Sequence, residues 1–275
     1  MLTFTDCKIN IGLDIIRRRT DGYHDIETIM VPVPWHDVLE ILPCKGDSAT
    51  LTVLGNPVNC APEDNLVMKA FRLLQREYDL PDVDIVLQKI VPDGAGLGGG
   101  SSDASNMLKL ANDYFSLNLS LDKLASYAAK LGADCPIFIY DKPMFAFGTG
   151  TDLEPIDINL SGLTLLISKP NGVNISTKQA YANVHPSVPK QSLCELIQLP
   201  IMRWQGLIKN DFEPSIFPLA PKIEAVKDIM LEQGALYASM SGSGASVYGF
   251  FSDTDKAHEI CDSILAANSN FIHVF

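Results

Sequence analysis

Pro92-Asp93-Gly94-Ala95-Gly96-Leu97-Gly98-Gly99-Gly100-Ser101-Ser102 places five glycines within seven residues, Gly94 to Gly100, and its flanks decide how the chain folds. Upstream, 83–91 (VDIVLQKIV) alternates apolar residues at Val83, Ile85 and Leu87, which predicts a strand. Downstream, Ser101 and Ser102 precede Ala104, Met107, Leu108 and Ala111 at helical spacing, with a serine as the expected N-cap. Glycines lack a Cβ, so the backbone between strand and helix can take positive φ and bring its N–H groups close to a ligand. The helix behind adds unpaired amides and the positive end of its dipole. Together these features predict a phosphate cradle. The plain alternative is a flexible loop with an ordinary serine cap.

The type of cradle follows by elimination. No Gly-Lys-Ser/Thr occurs, so the Walker pattern is absent. Gly94, Gly96 and Gly99 match GxGxxG, but the acidic residue about 20 positions on is Asp122, predicted in the first turn of a helix, where a dinucleotide site needs a carboxylate at a strand end. No GxSxG serine-hydrolase elbow is present either.

Working outward, 26–42 and 49–54 are rich in Val, Ile, Leu and Thr and are predicted strands. Helices are predicted from Asn65, with Val67, Ala70, Phe71 and Leu74 on one face, and from Ser120, with Leu121, Leu124, Ala125, Ala128 and Leu131 buried and Gly132 as a left-handed C-cap. The stretch 148–162 is turn-rich and 163–169 restarts a strand, which predicts domains at 1–160 and 161–275. In the second half, 221–233 and 254–267 read as helices, and 235–240 and 246–251 as strands around Ser-Gly-Ser-Gly. Mixed strands and helices predict the α+β class.

The formal charge of −12 excludes the basic surface that nucleic acid or an anionic membrane requires, while a local cradle can still hold a small anion. Six scattered cysteines, with no CxxC pair, are expected to be reduced thiols of a cytoplasmic protein. No basic-then-apolar leader opens the chain, no plastid transit peptide precedes Thr3, and no run approaches a membrane span; neither signal peptide nor membrane segment is expected.

Gly94–Ser105 (GAGLGGGSSDAS) resembles the second signature of the GHMP kinases, whose members include galactokinase, homoserine kinase and the mevalonate kinases. Lys8-Ile9-Asn10-Ile11-Gly12-Leu13, Arg18-Arg19-Thr20-Asp21-Gly22-Tyr23-His24, Leu131-Gly132-Ala133-Asp134-Cys135-Pro136 and Ser241-Gly242-Ser243-Gly244 follow in family order. The triple glycine before Ser-Ser-Asp-Ala, together with the Arg-Arg-x-Asp-Gly-Tyr-His stretch, is similar to the branch that phosphorylates 4-diphosphocytidyl-2-C-methyl-D-erythritol in bacterial non-mevalonate isoprenoid synthesis.

This resemblance implies a two-domain fold, with a ribosomal protein S5 domain 2-like N-terminal half containing a left-handed βαβ unit, a ferredoxin-like C-terminal half, and a substrate cleft between them. It implies ATP held by Pro92, Gly94, Ala95, Gly96, Leu97, Gly98, Gly99, Gly100, Ser101 and Ser102, with Asn65 near the adenosine. Asp134 is implied as the general base and Lys8 as the cation beside it, facing the transferred phosphoryl group. Mg²⁺ is expected with the nucleotide; its protein ligands stay open, Ser101 or Ser102 offering a hydroxyl. On the acceptor side the resemblance implies Asn10, Tyr23, His24, Thr177, Tyr181, Gly242 and Ser243, with the aromatic rings reading cytosine by stacking and hydrogen bonding.

Taken alone, these residues have ordinary readings. Lys8 would be a solvated charge, Asp134 a turn or cap residue, Asn65 an N-cap, Tyr181 core packing and Ser243 a hairpin turn. Two departures from the family pattern stand out: Cys7 where a small residue is common, and Asp93, whose carboxylate is expected to face away from nucleotide. A kinase for homoserine, mevalonate or a sugar would keep the loop and give Tyr23, His24 and Tyr181 no base to read. A nucleotide-binding regulator without catalysis would not need both Lys8 and Asp134.

Overall fold

The computed structural model describes residues 1–275 and divides into two compact units. The first comprises Met1–Lys8, Pro32–Asp93 and Gly98–Lys142; the second comprises Ile9–Val31, Gly94–Leu97 and Pro143–Phe275. The units are interleaved in sequence and do not follow a split into 1–160 and 161–275. The reason lies in two long strands, β1 (Leu2–Arg18) and β2 (His24–Pro43), each of which begins in one unit and ends in the other.

In the first unit, β3 (Thr50–Gly55), α1 (Leu66–Tyr78) and β4 (Val83–Lys89) form a βαβ arrangement in which β3 runs parallel to β4. The other side of β4 pairs antiparallel with Val38–Pro43 of β2. Helices α2 (Gly99–Tyr114), α3 (Leu121–Ala128) and α4 (Cys135–Tyr140) complete the unit. Asn65 caps α1 as expected, its Oδ1 accepting the Val67 N–H at 2.9 Å. That fixes Val67, Ala70, Phe71 and Leu74 toward a core shared with Ile41, Ile85, Leu87, Met107 and Leu108. Each such large side chain, fully buried, contributes about 1.5–3 kcal/mol.

Ser120 caps α3, but the buried face is Leu124, Ala125, Tyr127 and Ala128; Leu121 is exposed together with the rest of the first turn. Gly132 is not a left-handed cap. The chain leaves α3 through successive turns, with the Leu131 and Gly132 N–H groups both donating to Ala128 O, and no residue needs positive φ there.

In the second unit, β5 (Met144–Phe147) pairs antiparallel with Thr28–Met30 of β2 and with β6 (Asp152–Pro155). After β7 (Thr164–Lys169) come the short helices α5 (Thr177–Tyr181), α6 (Leu193–Leu196) and α7 (Glu213–Ile216). Then follow α8 (Pro221–Glu232), β8 (Tyr237–Met240), β9 (Val247–Phe251), α9 (Thr254–Asp262) and β10 (Ser269–Val274). The sheet order β10-β7-β9-β8, antiparallel throughout, is the split βαβ pattern of ferredoxin-like folds. The last predicted helix ends at Asp262, five residues short of 267, and β10 follows it; every residue from Ser269 to His273 is half-buried, so no alternation announces that strand.

Candidate active site

The phosphate loop delivers an uncapped helix. Gly98 sits at the N-cap of α2 with φ +70°, and no side chain bonds to the first turn. The first intrahelical bond runs from Ser102 N to Gly98 O at 2.8 Å, so the amides of Gly99, Gly100 and Ser101 have no helical acceptor. The N-cap therefore falls at Gly98, three residues before Ser101, and neither serine is the cap. A serine cap would occupy one of these amides; glycine leaves all of them open to an anion. Ser101 is half-buried, whereas Ser102 is fully buried and its Oγ accepts from Asn106 Nδ2 at 3.2 Å.

Beside that helix end lie Lys8 and Asp134. Lys8 Nζ is 3.3 Å from Asp134 Oδ2, with the lysine side chain 3% and the aspartate side chain 39% exposed. Asp134 occupies the N-cap position of α4 at φ −80°, ψ −11°, but makes no capping hydrogen bond, so its carboxylate is not committed to the helix. A Cβ on Gly98 would lie 3.1 Å from Lys8 Cε and 3.0 Å from Phe138 Cζ. The glycine thus lets the lysine stem lie against the start of α2, and ammonium, carboxylate and open amides meet in the first unit.

A cavity of about 220 Å³ in the same unit is lined by Asn59, Asn65, Leu66, Lys89, Gly100 and Asp103, among others. Asn65 is both the cap of α1 and part of this cavity's wall. Pro92 is half-buried; Asp93 is exposed and also borders the cavity.

In the second unit, Gly94–Leu97 is braced by Ser241–Gly244. Ser241 Oγ donates to Gly96 O at 2.9 Å, and Ser246 N donates to Ala95 O at 3.0 Å. A Cβ on Gly96 would stand 2.0 Å from Ser241 O, and one on Gly242 3.1 Å from Gly96 O. Two glycine backbones pack where side chains cannot fit. Asn10 belongs to this framework: its Nδ2 donates to Thr28 Oγ1 at 3.0 Å, its N–H to Ser241 Oγ at 3.2 Å, and its carbonyl accepts from Tyr248 Oη at 2.8 Å. Ser243 is half-buried at the loop tip.

The Asp21-Gly22 turn joins β1 to β2. Asp21 Oδ1 accepts the Tyr23 N–H at 3.0 Å, Gly22 has φ +90°, and Arg19 reaches Asp21 and Asp25 at 3.0 Å each. Tyr23 is thereby held out, 67% exposed. His24 stacks on Tyr181 with centroids 4.7 Å apart and an interplanar angle of 20°. A base inserted between two rings needs a separation of about 7 Å, so these two rings do not flank a base as they stand. Tyr181 ends α5, whose Ser176–Gln179 capping box places Thr177, exposed, at its first position.

Two supporting residues escape sequence reasoning. Asn210 Nδ2 donates to Met240 O and Gly242 O, 2.8 Å each, and its Oδ1 accepts from Phe212 N at 2.9 Å, pinning the 241–244 loop from outside any motif. Ser241 stands inside the Ser-Gly-Ser-Gly motif, and its polar side chain next to a strand was the available signal.

Comparison with known proteins shows the family of the chain and agrees with its fold. The family models described as GHMP kinases N terminal domain and GHMP kinases C terminal match residues 65–142 and 197–270. A protein of Parabacteroides distasonis named 4-diphosphocytidyl-2-C-methyl-D-erythritol kinase is 49% identical over 251 residues, covering 91% of this chain and 92% of the relative. Its namesake in Bacteroides thetaiotaomicron is 50% identical over 253 residues, with 91% and 92% covered. A crystal structure of 4-(cytidine 5'-diphospho)-2C-methyl-D-erythritol kinase superposes with TM-score 0.80 at 28% identity, covering 99% and 98% of the two chains. The chain belongs to the GHMP kinase family and, within it, to the family of 4-diphosphocytidyl-2-C-methyl-D-erythritol kinases. No helix is long and apolar enough to cross a membrane.

Proposed function

We propose that this chain transfers the γ-phosphoryl group of ATP to the 2-hydroxyl of 4-diphosphocytidyl-2-C-methyl-D-erythritol, as a bacterial cytoplasmic enzyme of non-mevalonate isoprenoid synthesis. The observation that carries this reading is the Lys8–Asp134 pair, 3.3 Å apart, against the uncapped start of α2. Phosphoryl transfer consists mostly of positioning and charge neutralisation. The Asp134 carboxylate accepts the proton of the acceptor hydroxyl while that oxygen forms the new bond to the γ-phosphorus; the bond from phosphorus to the bridging oxygen breaks and ADP leaves. Lys8 and the amides of Gly99, Gly100 and Ser101 offset the charge on the phosphoryl oxygens.

The cavity beside Asn65 is the proposed adenosine site. Mg²⁺ would accompany the nucleotide, and the half-buried Ser101 hydroxyl would suit it better than the buried, already bonded Ser102. When bound, the ion neutralises phosphate charge.

Tyr23, His24, Thr177, Tyr181 and Ser243 are proposed for the acceptor, with Asn10 and Gly242 shaping the site from behind. Burial and the neighbouring Arg18 hold His24 below the usual imidazole range. The neutral ring offers one donor and one acceptor, which suits the cytosine edge. His24→Ala is expected to raise KM for the acceptor about tenfold with little change for ATP. Because the pKa is depressed, the rise in wild-type KM for the acceptor on acidification should have its midpoint below the ordinary imidazole value of 6.5. A midpoint above pH 6.5, or a rise that persists in His24→Ala, speaks against this role.

The function itself is tested by ³¹P NMR of a reaction with Mg²⁺-ATP and 4-diphosphocytidyl-2-C-methyl-D-erythritol. A new phosphomonoester resonance beside the retained cytidine diphosphate is expected; a product phosphorylated at another hydroxyl, or none, would sink the reading.

A further inference from the structure

Behind the phosphate loop lies a charged cluster, two of whose members, Lys89 and Asp103, also line the cavity beside Asn65. Lys89, the last residue of β4, is 5% exposed; Asp37 on β2 is 0% and Asp103 on α2 is 1% exposed. Lys89 Nζ bonds to Asp37 Oδ2, and to Asp103 Oδ2 at 2.7 Å. The other Asp37 oxygen accepts the backbone N–H groups of Ile90 and of Val91, the latter at 2.8 Å. The other Asp103 oxygen accepts from Thr5 Oγ1 at 2.6 Å, and Thr5 lies three residues before Lys8 on β1.

Every oxygen in this arrangement has a partner, and the partners share one feature. Ile90 and Val91 are the last residues before Pro92, where the glycine loop begins. Asp103 stands on the first turns of α2, where the loop ends. Thr5 is on the strand that carries Lys8. Under Gly99 the cluster also sets a floor: a Cβ there would be 3.4 Å from Lys89 Nζ and 3.3 Å from Val91 Cγ1.

We propose that Asp37, Lys89 and Asp103 are positioning residues for nucleotide binding: a buried clamp that fixes both ends of the phosphate loop and so aims the free amides of α2. The inference rests on the nucleotide reading of that loop. Two carboxylates against one ammonium are an expensive arrangement for a purely structural purpose, because buried charges of this kind are replaceable by apolar side chains with no loss of stability. Burial, reinforced by Asp37 and opposed by Lys89, raises Asp103 to about 6. What an apolar cluster cannot supply is acceptors for the Ile90 and Val91 amides at a fixed height below the loop.

The test is ADP affinity by calorimetry in the full-length protein. Asp37→Asn has one oxygen where two are needed and turns an NH₂ group toward either Lys89 or the two backbone amides. It is expected to weaken ADP binding about tenfold or more, with KM for ATP raised in parallel and KM for the acceptor nearly unchanged. Gly46→Ala, at a position outside the cluster where an added Cβ meets nothing within 4 Å, is the control and is expected to bind ADP as wild type does. Folded Asp37→Asn with wild-type ADP affinity overturns the clamp alone, whereas a wild-type protein that binds no ADP overturns the nucleotide reading with it. If Asp37→Asn does not fold, hydrogen exchange on the wild type decides. Ile90 and Val91 amides protected as strongly as the β4 core support the clamp; exchange at loop rates overturns it.

Discussion

Asp134→Asn is expected to remove most turnover, by about 10²- to 10⁴-fold in kcat, while ADP affinity stays close to wild type. The substitution preserves shape and removes the negative charge and with it the capacity to accept a proton. Because Asp134 makes no capping hydrogen bond, the start of α4 loses nothing by the change. Lys8 retains an oxygen acceptor at the same place, though a neutral one, and the amides of Gly99, Gly100 and Ser101 are unaffected. The effect should therefore fall on kcat, with the ADP dissociation constant and the thermal midpoint acting as controls. Full activity in the folded variant would remove Asp134 as the base. A loss of ADP affinity as large as the loss of kcat would make it a nucleotide-binding residue instead.

Gly96→Ala is expected to be nearly as damaging for a different reason. With φ at +73°, alanine already carries the left-handed penalty of about 1–2 kcal/mol. Its Cβ would also stand 2.0 Å from Ser241 O and 2.9 Å from Gly244 O, both backbone atoms that no rotamer change can move aside. The two loops must part by more than 1 Å to reach the 3.4 Å of an ordinary contact, which breaks the Ser241–Gly96 and Ser246–Ala95 hydrogen bonds. A displacement of about 1 Å next to a reacting group costs about 100-fold in rate, so kcat/KM should fall by at least that factor. Gly46→Ala, where an added Cβ meets nothing within 4 Å, should be silent. Wild-type kcat/KM in Gly96→Ala would show that the 241–244 loop does not brace the phosphate loop.

Legibility in the sequence followed physical strength of signal. The glycine run between an alternating strand and a periodic helix needs no tertiary context, and the Asn65 and Ser120 caps act within a few residues, so both are readable locally. The start of α2 is misread because capping preference assumes that a side chain satisfies a helix's first amides; here Gly98 stands at the N-cap and no side chain bonds to the first turn. Strand β1 alternates in sequence, Cys7, Ile9, Ile11, Leu13 and Ile15 against Lys8, Asn10, Gly12 and Asp14, but alternation predicts an exposed polar face, whereas Lys8 and Asn10 are buried. Helix α4, six residues long, is too short to show a period. The interleaved units were hidden because β1 and β2 carry on as single strands while changing surroundings. Lys89 was nearer to reach: period-two spacing puts it on the buried face with Val83, Ile85 and Leu87, and a lysine on such a face needs carboxylate partners. Which carboxylates supply them, one on β2 and one on α2, is decided only by the fold.

The most direct measurement is ADP release with Mg²⁺-ATP, comparing 4-diphosphocytidyl-2-C-methyl-D-erythritol with its cytidine-free fragment, homoserine and mevalonate. Turnover confined to the cytidine-bearing compound is expected; preference for any of the other three would leave the fold and phosphate loop standing and contradict the assigned acceptor.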